Sequence, residues 1–290
     1  MSNNFTDTSI YFTLFKKVGL NRFLISLFSN FGGFWLFIEP ASFFLPESLK
    51  FGLGGYLSLV LISLAFAIIQ NLPKISISYK LSSPDTDIEI KVGDIFQENG
   101  HLVIGFNDVF DTELGEVIRD SSVQGQFLKR VYRGKQDKLD SDIETALQED
   151  ISNRSLDPDK NRGKAWRYPI GTTITLGSYE KRYFLTAYGY MKNDLTVDSN
   201  SDYISTALDK LWQEVRRKCH GTDVAIPIIG SDLARSGLSR MQLSKLIITS
   251  FVSASKRKFI TRKLTLMIYT KDLDSVDFYE LQEFLKSICF

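Results

Sequence analysis

Two long apolar blocks open the chain, and the rhythm changes after them. Phe23–Pro46 reads FLISLFSNFGGFWLFIEPASFFLP with Glu39 as its single charge, and Phe51–Pro73 reads FGLGGYLSLVLISLAFAIIQNLP with none. A helix that crosses the hydrocarbon core of a bilayer needs about 20 consecutive apolar residues. The blocks therefore predict two transmembrane helices, about 23–45 and 51–72, within an N-terminal membrane segment of residues 1–73. Glu39-Pro40 is expected to break or end the first helix, since proline disfavours helical backbone at the residue before it. A buried hairpin of a soluble protein is the competing reading; the length of both blocks and their lack of charge argue against it. A cleaved leader fits worse, because a second, stronger apolar block follows the first within a short loop. Gly32-Gly33 and Gly52, Gly54 and Gly55 would let helices approach closely in a membrane, within one chain or between chains.

From Lys74 the periodicity shortens. KISISYK (Lys74–Lys80) and DIEIKVGDIF (Asp87–Phe96) alternate and read as strands, and HLVIGF (His101–Phe106) is a continuous apolar run, the mark of a strand buried on both faces. A loop then leads to a helix near Ser122–Tyr132. Residues 134–165 are polar and read as an insertion carrying one short helix near Ile143–Asp150. GTTITLG (Gly171–Gly177) and RYFLTAYG (Arg182–Gly189) predict a hairpin of strands joined by SYEK. An amphipathic helix over Tyr203–Arg217, a buried strand in DVAIPII, a helix over Arg240–Ser255, a strand in KLTLMIY and a closing helix in DSVDFYELQEFLKSI follow. Strands alternating with helices predict an α/β fold, a three-layer α/β/α domain over residues 74–290 with a mixed, mostly parallel sheet, preceded by the transmembrane hairpin.

Composition narrows the chemistry. Lys and Arg total 35 against 34 Asp and Glu, so nothing global points to nucleic acid as a partner. Two cysteines, Cys219 and Cys289, build no disulfide framework and suit a reducing compartment. With two histidines, options for metal sites and histidine-based catalysis are thin, and no metal is expected. The chain has no Gly-x-Ser-x-Gly elbow, Walker loop or zinc-protease helix. Lys16, Lys17 and Arg22 precede the first span and Lys74 and Lys80 follow the second, against only Lys50, Glu39 and Glu47 between them. The positive-inside rule then places both termini in the cytoplasm.

In a sheet of this kind ligands bind beyond the carboxyl ends of the strands. Three stretches converge there. VGDIF puts Asp94 and Ile95 at a strand end, and IGFNDVFDT puts Asn107, Phe110, Asp111 and Thr112 just past a buried strand. IPIIGSDLARSGLS (Ile226–Ser239) runs from a short strand through a small-residue loop into a helix, the arrangement by which backbone N–H groups cradle a phosphate. Each piece has a plainer reading: Asp94 as a turn residue, Asn107 and Asp111 as Asx turns, Arg235 as a solvent-facing cation. Gly125 in SSVQGQ lets a backbone come close, either to a ligand or to the sheet.

In order and spacing, VGDIF, HLVIGFNDVFDT, SSVQGQFLKR, YPIGTTITL, YFLTAYG and IPIIGSDLARSGLS, behind two apolar helices, resemble the macro domain, an ADP-ribose-binding module. Within that group they resemble the membrane-anchored macro effectors of type II Thoeris antiphage defence. The resemblance implies a receptor in the bacterial inner membrane rather than an enzyme. A partner TIR-domain NADase would supply a nucleotide-derived signal, an ADP-ribose derivative of the histidine–ADP-ribose type. No cofactor is implied. Homo-oligomerisation and action on membrane lipid would then abort the infection. The resemblance also implies site roles. Asp94 would accept from the adenine amino group beside the Ile95 backbone. Asn107 with Phe110, Asp111 and Thr112 would meet the distal ribose and its attached group. Gly230, Ser231, Asp232, Leu233, Ala234, Arg235, Ser236 and Gly237 would wrap the diphosphate, with Arg235 adding a charge-assisted contact. Asp232 departs from the Gly-x-Gly that many macro domains carry there, and suits a ligand richer in donors than plain ADP-ribose. A membrane-tethered ADP-ribosyl hydrolase, or another ADP-ribose-binding sensor, is the alternative.

Overall fold

A computed structural model describes residues 19–44, 52–72, 75–231 and 236–289. The chain divides into two compact units, Met1–Ile75 and Ser76–Phe290. In the first, helices α1 (Leu20–Phe43) and α2 (Leu53–Gln70) pack on each other, and both are long and apolar enough to cross a membrane. α2 turns Leu59, Ser63 and Ala67 inward, residues one helical turn apart and so on one face. The Phe34 and Phe66 rings meet edge-on at 5.3 Å. Gln70 accepts from Ser26 at 2.7 Å and exchanges hydrogen bonds with Asn30 at 3.1 and 3.2 Å.

Two expectations change here. Pro40 does not end α1, which continues to Phe43. So close to the helix end, proline removes a ladder bond where the ladder is about to stop, and the Ser42 hydroxyl donates to the Glu39 carbonyl at 2.8 Å. Within one chain the small residues buried on α2 are Ser63 and Ala67, not its glycines. A Cβ placed on Gly32, Gly33, Gly52 or Gly54 would meet nothing within 4 Å.

The second unit is built on a seven-stranded sheet. In chain order its strands are β1 (Ser76–Leu81), β2 (Thr86–Val92), β3 (His101–Phe106), β6 (Thr173–Gly177), β7 (Arg182–Ala187), β10 (Val224–Pro227) and β11 (Lys263–Ile268). Two small ribbons, β4 (Ser155–Leu156) with β5 (Trp166–Arg167) and β8 (Tyr190–Met191) with β9 (Val197–Asp198), stand outside it. The spatial order is β1-β2-β11-β10-β3-β7-β6. β2, β11, β10, β3 and β7 run parallel, and β1 and β6 flank them antiparallel. Five strands therefore deliver their carboxyl ends to one edge.

Alternation along the strands feeds two helical layers. Leu102, Ile104 and Phe106 of β3, Leu185 and Ala187 of β7 and Ile174 and Leu176 of β6 pack with Phe127 and Leu128 of α3 (Val123–Arg130) and Leu139 and Ile143 of α4 (Gln136–Ala146). On the opposite face lies α5 (Ser201–Lys218), joined to β6 where Thr175 donates to Glu214 at 2.8 Å. Its buried Trp212 meets Phe251 of α6 (Arg240–Arg257) edge-on at 5.2 Å and donates to Ser250 at 2.9 Å. α7 (Phe278–Cys289) packs on α6 and β1.

The segment after Gly134 holds more structure than its polarity suggested. α4 begins at Gln136 rather than near Ile143, and a 3-10 turn, Leu147–Asn153, extends it. Leu139, Ile143 and Leu147 recur every four residues among charges, and all three are buried core residues. α6 starts from a capping box: Ser239 Oγ accepts from the Gln242 amide at 3.2 Å, and Gln242 Oε1 accepts from the Ser239 amide at 2.8 Å. Ser239→Ala is expected to destabilise the protein by about 1 kcal/mol, visible as a lower melting temperature.

Candidate functional site

A cleft of about 380 Å³ opens at the edge where the parallel strands end. Strand exits line it: Gly93 to Phe96 after β2, Gly105 and Asn107 at β3, Tyr188 after β7, Pro227 to Ser231 after β10, and Met267 and Tyr269 at β11. The approach to α3 and the β8–β9 ribbon supply its walls. This is the crevice that parallel strands with helical crossovers leave open.

At the first exit, Asp94 caps the short turn Ile95–Gln97. Its Oδ1 accepts from the Phe96 amide at 3.0 Å, and its Oδ2 from Arg130 Nη1 at 2.6 Å. At the second, Asn107 lines the cleft while both arms of its amide reach back to Asp111. Asn107 Oδ1 accepts from the Asp111 amide at 3.1 Å, and Nδ2 donates to Asp111 Oδ2 at 3.2 Å. Asp111 Oδ1 accepts from the Lys164 amide at 2.7 Å. Thr112 donates to Asp140 at 2.7 Å, and Lys164 Nζ bonds Asp140 and the Phe110 carbonyl. Phe110 is a non-glycine residue at φ 51°, fully buried against Phe106 and Tyr168. Asp108, also buried, accepts from Arg167 at 2.6 Å and from the Met191 amide at 2.8 Å. Burial pushes the Asp108 and Asp111 carboxyls above their ordinary range, and these donors pull the other way. The loop after β3 is thus a knot tied to residues 140–167, with Asn107 as the part that faces the cleft.

At the third exit, Gly230 leaves β10 at φ +81°, a left-handed turn in which a side chain would be strained. Gly230 and Ser231 line the cleft. Asp232, Leu233, Ala234 and Arg235 lie outside the described residues, and with them the departure at Asp232. The helix beyond begins with the Ser239 and Gln242 N–H groups already held by the capping box.

Of the residues singled out in sequence, the cleft brings together Asp94, Ile95, Asn107, Gly230 and Ser231. Phe110, Asp111, Thr112, Gly125, Ser236 and Gly237 are not on its lining. Gly125 approaches its own chain: a Cβ there would sit 2.4 Å from the Arg119 carbonyl oxygen. The lining also includes Gly105, Tyr188, Gln124 and Gln126, which the motifs did not point to. Gly105 had a readable signal, a glycine inside a buried apolar strand, which marks a close approach. The Tyr188 ring fills that space. Neither histidine reaches the cleft. His101 is buried at the start of β3, where Nδ1 accepts from the Arg182 amide at 3.1 Å, and desolvation lowers its pKa. Among the described residues no group of three or more His, Cys, Asp or Glu is placed to hold a metal ion.

A mixed sheet between two helical layers, with a turn aspartate, an asparagine loop and a late glycine loop facing one crevice, defines a macro domain. The family model for the macro domain of Thoeris protein ThsA matches residues 88–269, and the chain belongs to that family. It is therefore a protein of Thoeris antiphage defence, with a domain of the ADP-ribose-binding kind. Thoeris protein ThsA of Bacillus amyloliquefaciens (strain Y2) is 29% identical over 240 residues, 80% of this chain and 77% of that one. Among solved structures, a point mutant of the Oceanobacillus iheyensis macrodomain has a TM-score of 0.49 at 14% identity, over 74% of this chain and 98% of that one. The same macrodomain with ADP has a TM-score of 0.47 at 15% identity, over 73% and 97%.

Proposed function

We propose that the protein is a membrane-anchored receptor and effector. Its macro domain binds an ADP-ribose-derived signal of the histidine–ADP-ribose type, made by a partner TIR-domain NADase. The bound form self-associates, and the assembled hairpins disrupt the inner membrane, so the infection aborts. The observation that carries this reading is a family match spanning the cleft in a chain that also holds two helices long enough to span a bilayer. A ligand shifts an equilibrium only by binding one state better than the other, so the signal must prefer the assembled form. Assembly then concentrates the hairpins in the membrane.

Within the cleft we assign Asp94 and the Ile95 backbone to the adenine and Asn107 to the distal ribose. Gly230 and Ser231, with the loop through Gly237, take the diphosphate. Asp111 acts behind Asn107, holding its amide, with Phe110 and Thr112 beside it in the same loop. Two features support a receptor over a hydrolase. Among the described residues no histidine or cysteine lines the cleft, and the two acidic residues that do, Asp94 and Asp272, are each paired with an arginine, Arg130 and Arg240. The full chain in detergent, titrated calorimetrically with ADP-ribose and with its histidine conjugate, is expected to bind the conjugate more tightly and release it unchanged. Turnover of either compound would favour the hydrolase, and absence of binding would remove the proposal.

A further inference from the structure

Arg130 ends α3 at the mouth of the cleft, and what surrounds its guanidinium is cleft wall. Nη1 donates to Asp94 Oδ2 at 2.6 Å and to Gln126 Oε1 at 3.3 Å, and the guanidinium carbon stands 4.7 Å from the centre of the Phe96 ring. Asp94, Phe96 and Gln126 all line the cleft. The ion pair is solvated, with side-chain exposures of 40% for Arg130 and 30% for Asp94, and pairs of that kind contribute little to fold stability. Its consequence is geometric. A carboxylate turns freely about its last torsion, whose energy profile is broad. Here the Phe96 amide holds one oxygen and Arg130 the other, so the plane of the group is set from both ends. Each oxygen keeps a second lone pair for another donor. The planar guanidinium over the Phe96 ring holds this geometry in a way a lysine ammonium cannot.

We infer that Arg130 is a positioning residue that gives the cleft its choice of base, by aiming the Asp94 carboxylate at an exocyclic amino group. This rests on the reading of Asp94 as the adenine contact. A fixed carboxylate rewards the amino group of adenine. It meets the carbonyl of hypoxanthine lone pair to lone pair, and a polar site that the bound base covers and leaves unpaired in this way rejects the analogue. A carboxylate free to turn would relax away from the carbonyl, and the choice would be lost.

The test uses the full chain in detergent, with ADP-ribose and its hypoxanthine counterpart, inosine diphosphate ribose. The wild-type protein is expected to prefer ADP-ribose by about tenfold or more. Arg130→Ala is expected to bring that ratio to about twofold, with Arg130→Lys between, because an ammonium restores the charge but not the planar group that lies over Phe96. Melting temperatures should stay close to wild type, since a solvated pair is removed. Base preference retained in Arg130→Ala but lost in Asp94→Ala would overturn the inference and leave the Asp94 reading standing. A wild-type protein that binds both compounds equally would overturn both. A uniform loss of affinity in Arg130→Ala with the ratio intact would reduce Arg130 to an ordinary electrostatic contact and also overturn it.

Discussion

Cells carrying the TIR partner and a chain shortened to begin at residue 74 are expected to survive expression of the active signal without growth arrest, while the shortened protein still binds that signal. The cut falls at the division between the two compact units, next to Ile75. Every described residue lining the cleft lies between Gly93 and Asp272, so none of that lining is removed. What is removed is both helices long enough to cross a membrane. Affinity should therefore stay within about twofold, well under the roughly 1.4 kcal/mol that a tenfold change represents. Arrest, read as growth and as uptake of a membrane-impermeant dye, should disappear altogether. Continued arrest would mean that the membrane is not the target.

The second large effect belongs to the floor of the cleft. Gly105 lies in β3, between β10 and β7, with the Tyr188 ring laid over it. A Cβ at that position would sit 2.9 Å from Tyr188 Cε1, 3.2 Å from its Cδ1 and 3.5 Å from Ile229 Cγ2. An aromatic ring cannot fold out of the way as the end of an aliphatic chain can, so the ring must shift, and both residues line the cleft. Gly105→Val adds two methyl groups more, on a residue that suits a strand. The fold should survive while ADP-ribose affinity falls about 100-fold, roughly 2.7 kcal/mol. Gly105→Ala should fall between. Calorimetry with circular dichroism as a control decides it: wild-type affinity in a folded Gly105→Val protein would place the ligand elsewhere.

The sheet was legible because its signals are local. Alternation in SISYKL and TDIEIKV and the unbroken apolar run of HLVIGF need only their own residues to be read, and they fall on β1, β2 and β3. Asp94, Asn107 and Gly230 were legible for a related reason, since each stands where an apolar run stops. What the cleft owes to distant residues was not. The Asp111 carboxylate gives one oxygen to the Lys164 amide, 53 residues on, a partner that no local signal marks. Arg130 carried no signal of its own, because its partner Asp94 is 36 residues away and on another element. α4 was misplaced by averaging: its apolar stripe at Leu139 and Ile143 is diluted by charges at most positions between. Pro40 misled in the opposite direction, since a local rule about helix ends takes no account of how near the end already is.

The strand order also sets a timetable. β2 gains its partner on the inner side only from β11, and the bond between Thr265 and Glu89 that crosses this seam spans 176 residues. Until Lys263–Ile268 has left the ribosome, β2 has one strand neighbour, the hairpin strand β1. Closing a loop that long comes before any contact repays it, which slows folding. The crevice therefore has no complete form in a partly made chain. Binding in that crevice must therefore wait for Lys263–Ile268, made well after both apolar helices.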